Sequence, residues 1–461
     1  MGYKVKNERG ETIILADKPF ASGGEGEVRK VISPTQYKNN CVKIYFKPKR
    51  TPQQEGRIRY MVANPPSKIQ SEAFMIGWPT DLITHLNGEF VGFMMPLAFV
   101  GSIQLVNLTS TNIRPKLGDD WHRKFSRKNG VVALNSRLKL LKNLAIPIAL
   151  LHATKKYVLK DFKPQNVLVT HTGKITIVDM DSVQIMEEKR LLYEGTAATP
   201  GYVPPEAYKL NSNQLRFLDK SWDNFAFGVV FYQVLFGIHP YSVTPKKMID
   251  DSENSTVYSI SQNLFPFGNK KHEIKDYARI HDKFTILPPE IQELFINAFS
   301  EKPINRPNAE EWGKTINDTV INMENSIEFQ EELKKQQLQK QQLQDYPKTK
   351  PNNGIQKLPP KPAEPQYKTQ QKPYNYMALS VITLFVCIVN FMIYLLVEEG
   401  GKAFFALLSG LLPFVFSLNV SPAYKEGNYK KAVNLSNATL LLSVVFLIIG
   451  IAMFFEILEN Y

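Results

Sequence analysis

The stretch from Tyr157 to Asp181 constrains this chain more than any other. It reads as a polar loop carrying Asp161, Lys163 and Asn166, then a β-branched run Asn166–Thr170. A turn at His171-Thr172-Gly173 follows, and a second run, Lys174–Val178, delivers Asp179. Two β-branched runs joined through a glycine-bearing turn predict a hairpin. A hairpin returns to where it began, so two carboxylates and an amide meet at one mouth. That set offers oxygen ligands to a hard divalent cation and a carboxylate to take a hydroxyl proton. The bland alternative is a solvated turn that happens to be charged.

Phosphoryl transfer needs that combination. Lys160-Asp161-Phe162-Lys163-Pro164-Gln165-Asn166 matches H-R-D-L-K-x-x-N from its second position onward, and Asp179-Met180-Asp181 falls where D-F-G stands. In these residues the chain resembles the eukaryotic-like Ser/Thr protein kinase superfamily. Leu159, Lys160 and Asp181 depart from the motif's His, Arg and Gly. The spelling Asp179-Met180-Asp181-Ser182 is similar to that of a membrane-anchored, bacterial-type kinase subgroup. Asp181 is expected to stiffen the segment and to add negative charge near the metal.

Residues 1–100 read as short strands. Between two β-patterned runs lies Phe20-Ala21-Ser22-Gly23-Gly24-Glu25-Gly26-Glu27-Val28, similar to G-x-G-x-x-G-x-V without its first glycine. Glycines belong where backbone amides must approach phosphates. Cys41-Val42-Lys43-Ile44 resembles V-A-I-K, and Lys43 among apolar neighbours must snorkel out or find an anion. In the family that lysine pairs with a helix glutamate, and Glu55, heading a short helical pattern, is the candidate despite Gly56. Phe90–Leu97 looks like the strand running into the hinge, with Met94 or Met95 gating the back of the pocket.

Residues 101–130 are polar and poorly periodic, an insert or an irregular first helix. Leu138, Leu141, Ala145, Ile148 and Leu151 then recur at helical spacing, and His152 reads as a structural helix-end residue. Ala198 through Glu206 resembles G-T-P-x-Y-x-A-P-E. The resemblance implies that Thr199 bonds Lys163 and Asp161, and that Glu206 pairs with Arg306. Asp223, in a segment similar to D-x-W-S-x-G, would anchor the catalytic-loop backbone. Its plainer reading is a helix cap. Lys160 leaves control by phosphorylation open, with Tyr193 and Thr196 as candidate sites.

Residues 346–376 carry seven prolines and scattered lysines, a composition that buries no core and reads as a tether. Met377–Val397 has no charge, Ala438–Phe455 is similar, and Phe404–Val420 is shorter and carries Pro413. These are three membrane-span candidates. Lysines before the first and after the second span put the kinase region on the cytoplasmic side. Gly427 through Ala438 resembles the loop of the two-span CD225/dispanin family, and no function is attached to that likeness. The net charge of +13 would suit nucleic acid or an anionic bilayer. Without an Arg-rich run or zinc-finger spacing, the bilayer is preferred. Cys41 and Cys387 make no disulfide framework, and the polar N-terminus predicts no cleaved signal peptide.

The expected fold is α+β: a bilobal kinase with a β-rich lobe at 1–100 and a helical lobe at 101–323. A linker at 324–376 and a membrane region at 377–457 complete it. The resemblance implies a membrane-anchored Ser/Thr protein kinase using ATP and Mg²⁺, with Mn²⁺ as the alternative metal. Gly23, Gly24, Gly26, Val28, Lys43, Glu55 and Met95 would hold the nucleotide. Asn166 and Asp179 would hold the metal, and Asp161 and Lys163 would act on the acceptor hydroxyl. Expected partners are protein substrates, the bilayer, a second copy and a cognate phosphatase, and no nucleic acid. The competing reading is a pseudokinase scaffold that binds nucleotide at the membrane.

Overall fold

Alternating apolar residues in the first hundred positions build an antiparallel sheet. In the computed structural model its strands are β1 (Tyr3–Asn7), β2 (Thr12–Leu15), β3 (Ala21–Ser22), β4 (Gly26–Ser33) and β5 (Asn40–Tyr45). Helix α1 (Pro52–Ala63) and a short strand β6 (Phe74–Ile76) come next, then β7 (Asp81–Thr84) and β8 (Phe90–Pro96). The seven-stranded order is β2-β1-β7-β8-β5-β4-β3. The structure describes residues 2–344, apart from 189, 196–197, 212–213, 217 and 248–254, together with 438–443.

The central strand β5 decides the geometry. Side chains alternate across a strand, so Val42 and Ile44 join Val5, Ile13 and Met94 in an outer apolar cluster. Cys41, Lys43 and Tyr45 take the other face. In register with them on β8, Met95 sits opposite Cys41 and Phe93 opposite Lys43. Strand parity thereby settles the choice between the methionines: Met95 faces the cleft and Met94 faces away.

The second lobe begins with β9 (Ile103–Gln104), α2 (Asp119–Phe125) and the long α3 (Gly130–Ala153), followed by β10 (Tyr157–Val158), β11 (Val167–Val169) and β12 (Ile175–Ile177). The hairpin is shorter than the sequence suggests. Asn166 lies in a 3-10 turn led by Pro164, its N–H turned back to the Lys163 carbonyl at 3.0 Å. β6 pairs in parallel with β12 in a four-stranded sheet ordered β6-β12-β11-β9. Thus the span assigned to the first lobe contributes a strand to the second. A further hairpin, β13 (Gln184–Glu187) and β14 (Arg190–Tyr193), forms next to β10.

Helix α4 (Ser221–Phe236) is buried on nearly every side and forms the axis of the second lobe. Helices α5 (Ser255–Ser261), α6 (Pro289–Ala298), α7 (Ala309–Glu324) and α8 (Ile327–Gln344) complete it. Phe225, Tyr232, Phe295, Phe299 and Trp312 interlock edge to face around that axis. Asn308 and Glu311 close a capping box at the start of α7.

Contacts divide the chain into two units, Met1–Lys348 and Thr349–Tyr461. In the second, residues 438–443 are helical, and Thr439 and Ser443 are buried. Among the described residues no helix is long and apolar enough to cross a membrane. The first two span candidates, and the third beyond residue 443, lie outside the described residues.

Candidate active site

The residues of the Tyr157–Asp181 stretch do converge. Asp161 is buried and accepts from Lys163 Nζ at 2.6 Å and from the Thr199 hydroxyl at 2.6 Å. Lys163 Nζ also donates to Thr199 Oγ1 at 2.9 Å, closing a three-membered ring of polar contacts. Asn166 Nδ2 donates to the Asp161 carbonyl at 3.0 Å. Its amide oxygen is therefore the atom left for a ligand. Asp179 adopts a left-handed backbone conformation, φ 59°, uncommon for a non-glycine residue and found where sites hold a side chain in place.

The loop itself hangs from α4. Asp223 accepts from the backbone N–H groups of Leu159 and Lys160 at 2.8 and 2.9 Å. His152 Nε2 lies 2.8 Å from the same carboxylate, so His152 is a helix-end structural residue here. Glu206 and Arg306 meet through two 2.7 Å contacts. Lys160 donates to the Gly195 carbonyl at 3.0 Å. A Cβ at Gly195 would stand 2.5 Å from the Lys160 side chain. Tyr193 packs over Gly56, with Arg57 5.6 Å from its ring centre, while Thr196 lies outside the described residues.

Across the cleft stands Lys43, 7% exposed. Its partner is not the one expected. Glu55 points to solvent and pairs with Arg59, one turn along α1, at 2.9 Å. Lys43 Nζ instead donates to both Asp181 oxygens, at 2.8 and 2.7 Å. Asp181 is 1% exposed, so its charge is spent on Lys43 and on Tyr45 rather than offered to a metal. Burial alone would lower the Lys43 pKa, but Asp181, with Asp179 and Glu25 further off, holds it above the ordinary lysine value. The Asp179 carboxyl is lifted: desolvation in the cleft outweighs the pull of Lys43, and the negative charge of Asp181 adds to the rise. Burial pushes the Cys41 thiol up to about 12, leaving it an inert wall of the pocket.

Between the lobes these groups line one cavity of about 520 Å³. Gly23, Gly24, Gly26, Val28, Lys43 and Met95 face Asp161, Lys163, Asn166 and Asp179 across it, while Glu55 is not among the lining residues. Nothing lies within 4 Å of where a Cβ would stand on Gly23 or Gly24, and the Gly23 N–H closes the turn by donating to the Gly26 carbonyl at 2.9 Å. Gly26 is different, since a Cβ there would stand 2.3 Å from the Ile44 carbonyl oxygen. Oxygen donors at Asn166 and Asp179, one cation at Lys43 and glycine amides above suit a nucleotide phosphate carrying a hard metal.

Residues 116–315 match the profile of the protein kinase domain. Over that segment the chain is similar to protein kinases. Among curated kinases, 89 residues are 34% identical to Citron rho-interacting kinase of Rattus norvegicus, 19% of this chain and 4% of that one. Over 92 residues the chain is 36% identical to 3-phosphoinositide-dependent protein kinase 1 of Arabidopsis thaliana, 18% of each protein. Over 94 residues it is 33% identical to the serine/threonine-protein kinase TOUSLED of Arabidopsis thaliana, 19% of this chain and 13% of that one. The chain thus spans less than a fifth of the length of these kinases. The crystal structure of Rad53 1-466 in complex with AMP-PNP is 16% identical, with a TM-score of 0.43, covering 67% of this chain and 65% of that one. Residues 402–457 match a second family, CD225, described as interferon-induced transmembrane protein.

Three members of this site escape a motif reading: Asp181 as the lysine's partner, Tyr45 and Arg57. Tyr45 had a signal, since it lies two residues beyond Lys43 and so shares its strand face. Arg57 had none, because only the resting position of α1 decides which of its faces is buried.

Proposed function

We propose that the chain is a Ser/Thr protein kinase that transfers the γ-phosphate of ATP to protein hydroxyls. One observation supports this reading: Asp161 and Lys163, both bonded to Thr199, line the same cavity as Lys43, Asn166 and Asp179. Asp161 would take the proton of the acceptor hydroxyl, and Lys163 would neutralise charge beside it. Asn166 and Asp179 would hold Mg²⁺, which supplies charge neutralisation at the phosphates. Lys43 and the glycine amides would fix the phosphates in line, so that catalysis is mostly placement and electrostatics.

The test is incorporation of ³²P from γ-labelled ATP by the full chain, alone and with a generic basic protein substrate. Wild type should label Ser or Thr, and Asp161→Asn and Asp179→Asn should each reduce labelling by about 10³-fold or more. Nucleotide binding without any labelling would instead support the scaffold reading.

A second part of the proposal concerns the end of the chain. Residues 377–457 would anchor it in a bilayer with the kinase on the cytoplasmic side. The charge-free apolar run at 377–397 and the match of residues 402–457 to a transmembrane family support this. Retention of the full chain in the membrane pellet after alkaline carbonate washing is the expected result; release to the supernatant would refute it.

A further inference from the structure

Lys43 is held by groups that come from its own strand and from the metal-binding turn. Tyr45 donates its hydroxyl to Asp181 Oδ2 at 2.6 Å, and Gln54 on α1 donates to that hydroxyl at 2.7 Å. Other carboxylates stand further from Lys43 Nζ, Glu25 at 3.7 Å and Asp179 at 3.8 Å. Helix α1 reaches this network with an amide, Gln54, and with a guanidinium, Arg57. Arg57 donates to the carbonyls of Val183 at 2.7 Å, Asp181 at 3.3 Å and Glu194. A buried ammonium needs a carboxylate within hydrogen-bond reach, since an uncompensated charge there is costly. Asp181 meets that need among these carboxylates, and it is fixed in turn by Tyr45.

We propose that Asp181 is the positioning residue that holds Lys43 for the nucleotide phosphates, and that Arg57 fastens α1 to the same turn, so that no carboxylate from α1 is required. This deepens the phosphoryl-transfer reading above and rests on it. The two roles then share one short turn: Asp179 would hold the cation, and Asp181, two residues on, holds the lysine. Lys43 is thereby set from the turn that carries the metal ligand, and movement of α1 alone would not release it. The aspartate in place of the motif's glycine acquires a function instead of being a departure.

The experiment uses the full chain, Mg·ATP kinetics and thermal unfolding in parallel. Asp181→Asn and Asp181→Gly should each raise the KM for ATP by roughly tenfold or more, whereas Glu55→Gln should leave both KM and kcat within about twofold. Tyr45→Phe, which keeps the ring in the core, should raise KM by roughly threefold to fivefold with melting temperature little changed, and it stands in should Asp181 variants unfold. Adding Gln54→Glu to Asp181→Gly supplies a carboxylate from α1 and should recover most of the lost affinity. A purely structural role for Asp181 would give no such rescue. The proposal is overturned if Glu55→Gln raises KM while Asp181→Asn and Tyr45→Phe do not, or if Gln54→Glu fails to rescue a folded Asp181→Gly. A wild-type chain that neither binds nucleotide nor labels protein would remove the kinase reading itself, an outcome separate from any difference among variants.

Discussion

Arg306 Nη1 and Nη2 each lie 2.7 Å from an oxygen of Glu206, across a sequence separation of 100 residues. The arginine side chain is fully covered, with its guanidinium 5.5 Å from the Phe225 ring centre. Removing the carboxylate would strand that charge. Glu206→Ala should lower unfolding stability by about 3–5 kcal/mol. Arg306→Lys, which loses the paired geometry but keeps the charge, should lose less. Urea midpoints of the full chain check both.

Thr199 ties its segment to the Asp161 loop through bonds to Asp161 and Lys163. Thr199→Val keeps the shape and removes the hydroxyl. Its expected effect is a fall in kcat of roughly 10–100-fold with nucleotide affinity unchanged, because the lost contacts orient the acceptor side of the site. Thr199→Ser should recover most of the rate in steady-state assays.

The glycines of the first turn are not equivalent. At Gly26 a Cβ meets the Ile44 carbonyl oxygen, so Gly26→Ala should cost about 1–3 kcal/mol through displaced backbone. Gly24→Ala has open space and should stay within about 0.5 kcal/mol of wild type in stability. Thermal unfolding without nucleotide separates the two cases.

His239 gives the second lobe a dependence on pH. Its Nε2 lies 2.8 Å from the Gly201 carbonyl and donates to it, while Nδ1 accepts from the Tyr241 N–H at 3.2 Å. The ring is therefore required neutral. Burial lowers its pKa from 6.5 to about 4, against the opposing pull of the Gly201 bond. The unfolded chain binds the extra proton first, so this contribution is complete above pH 6.5 and is lost as pH falls toward 4. The loss should amount to about 1–3 kcal/mol. His239→Gln should flatten that part of the curve of melting temperature against pH.

Much of the site was legible because it is local. Asp161, Lys163, Asn166 and Asp179 share one loop and one hairpin, so spacing alone brings them to one mouth. Glu206 and Arg306 are far apart in sequence, yet a motif resemblance pointed to each, and they meet. The orientation of α1 was not legible in the same way. Glu55 and Arg59 stand at i and i+4, and that local pair was the available sign that Glu55 looks outward. The membership of Phe74–Ile76 in the second-lobe sheet depends on a pairing across about a hundred residues, which no local pattern encodes. The apolar runs near the C-terminus, beyond 438–443, fall outside the described residues.

The parallel pairing of Phe74–Ile76 with Ile175–Ile177, reinforced by the Gly77 N–H donating to the Ile177 carbonyl at 2.7 Å, bears on how this protein can be dissected. A fragment trimmed to residues 116–315 would lose the strand on one flank of the hairpin and β9 on the other. Bare Val- and Ile-rich edges of that kind recruit one another, so such a piece would come out of cells as inclusion bodies. Soluble preparations should start upstream of the first strand, and swivelling between the lobes must leave that seam intact.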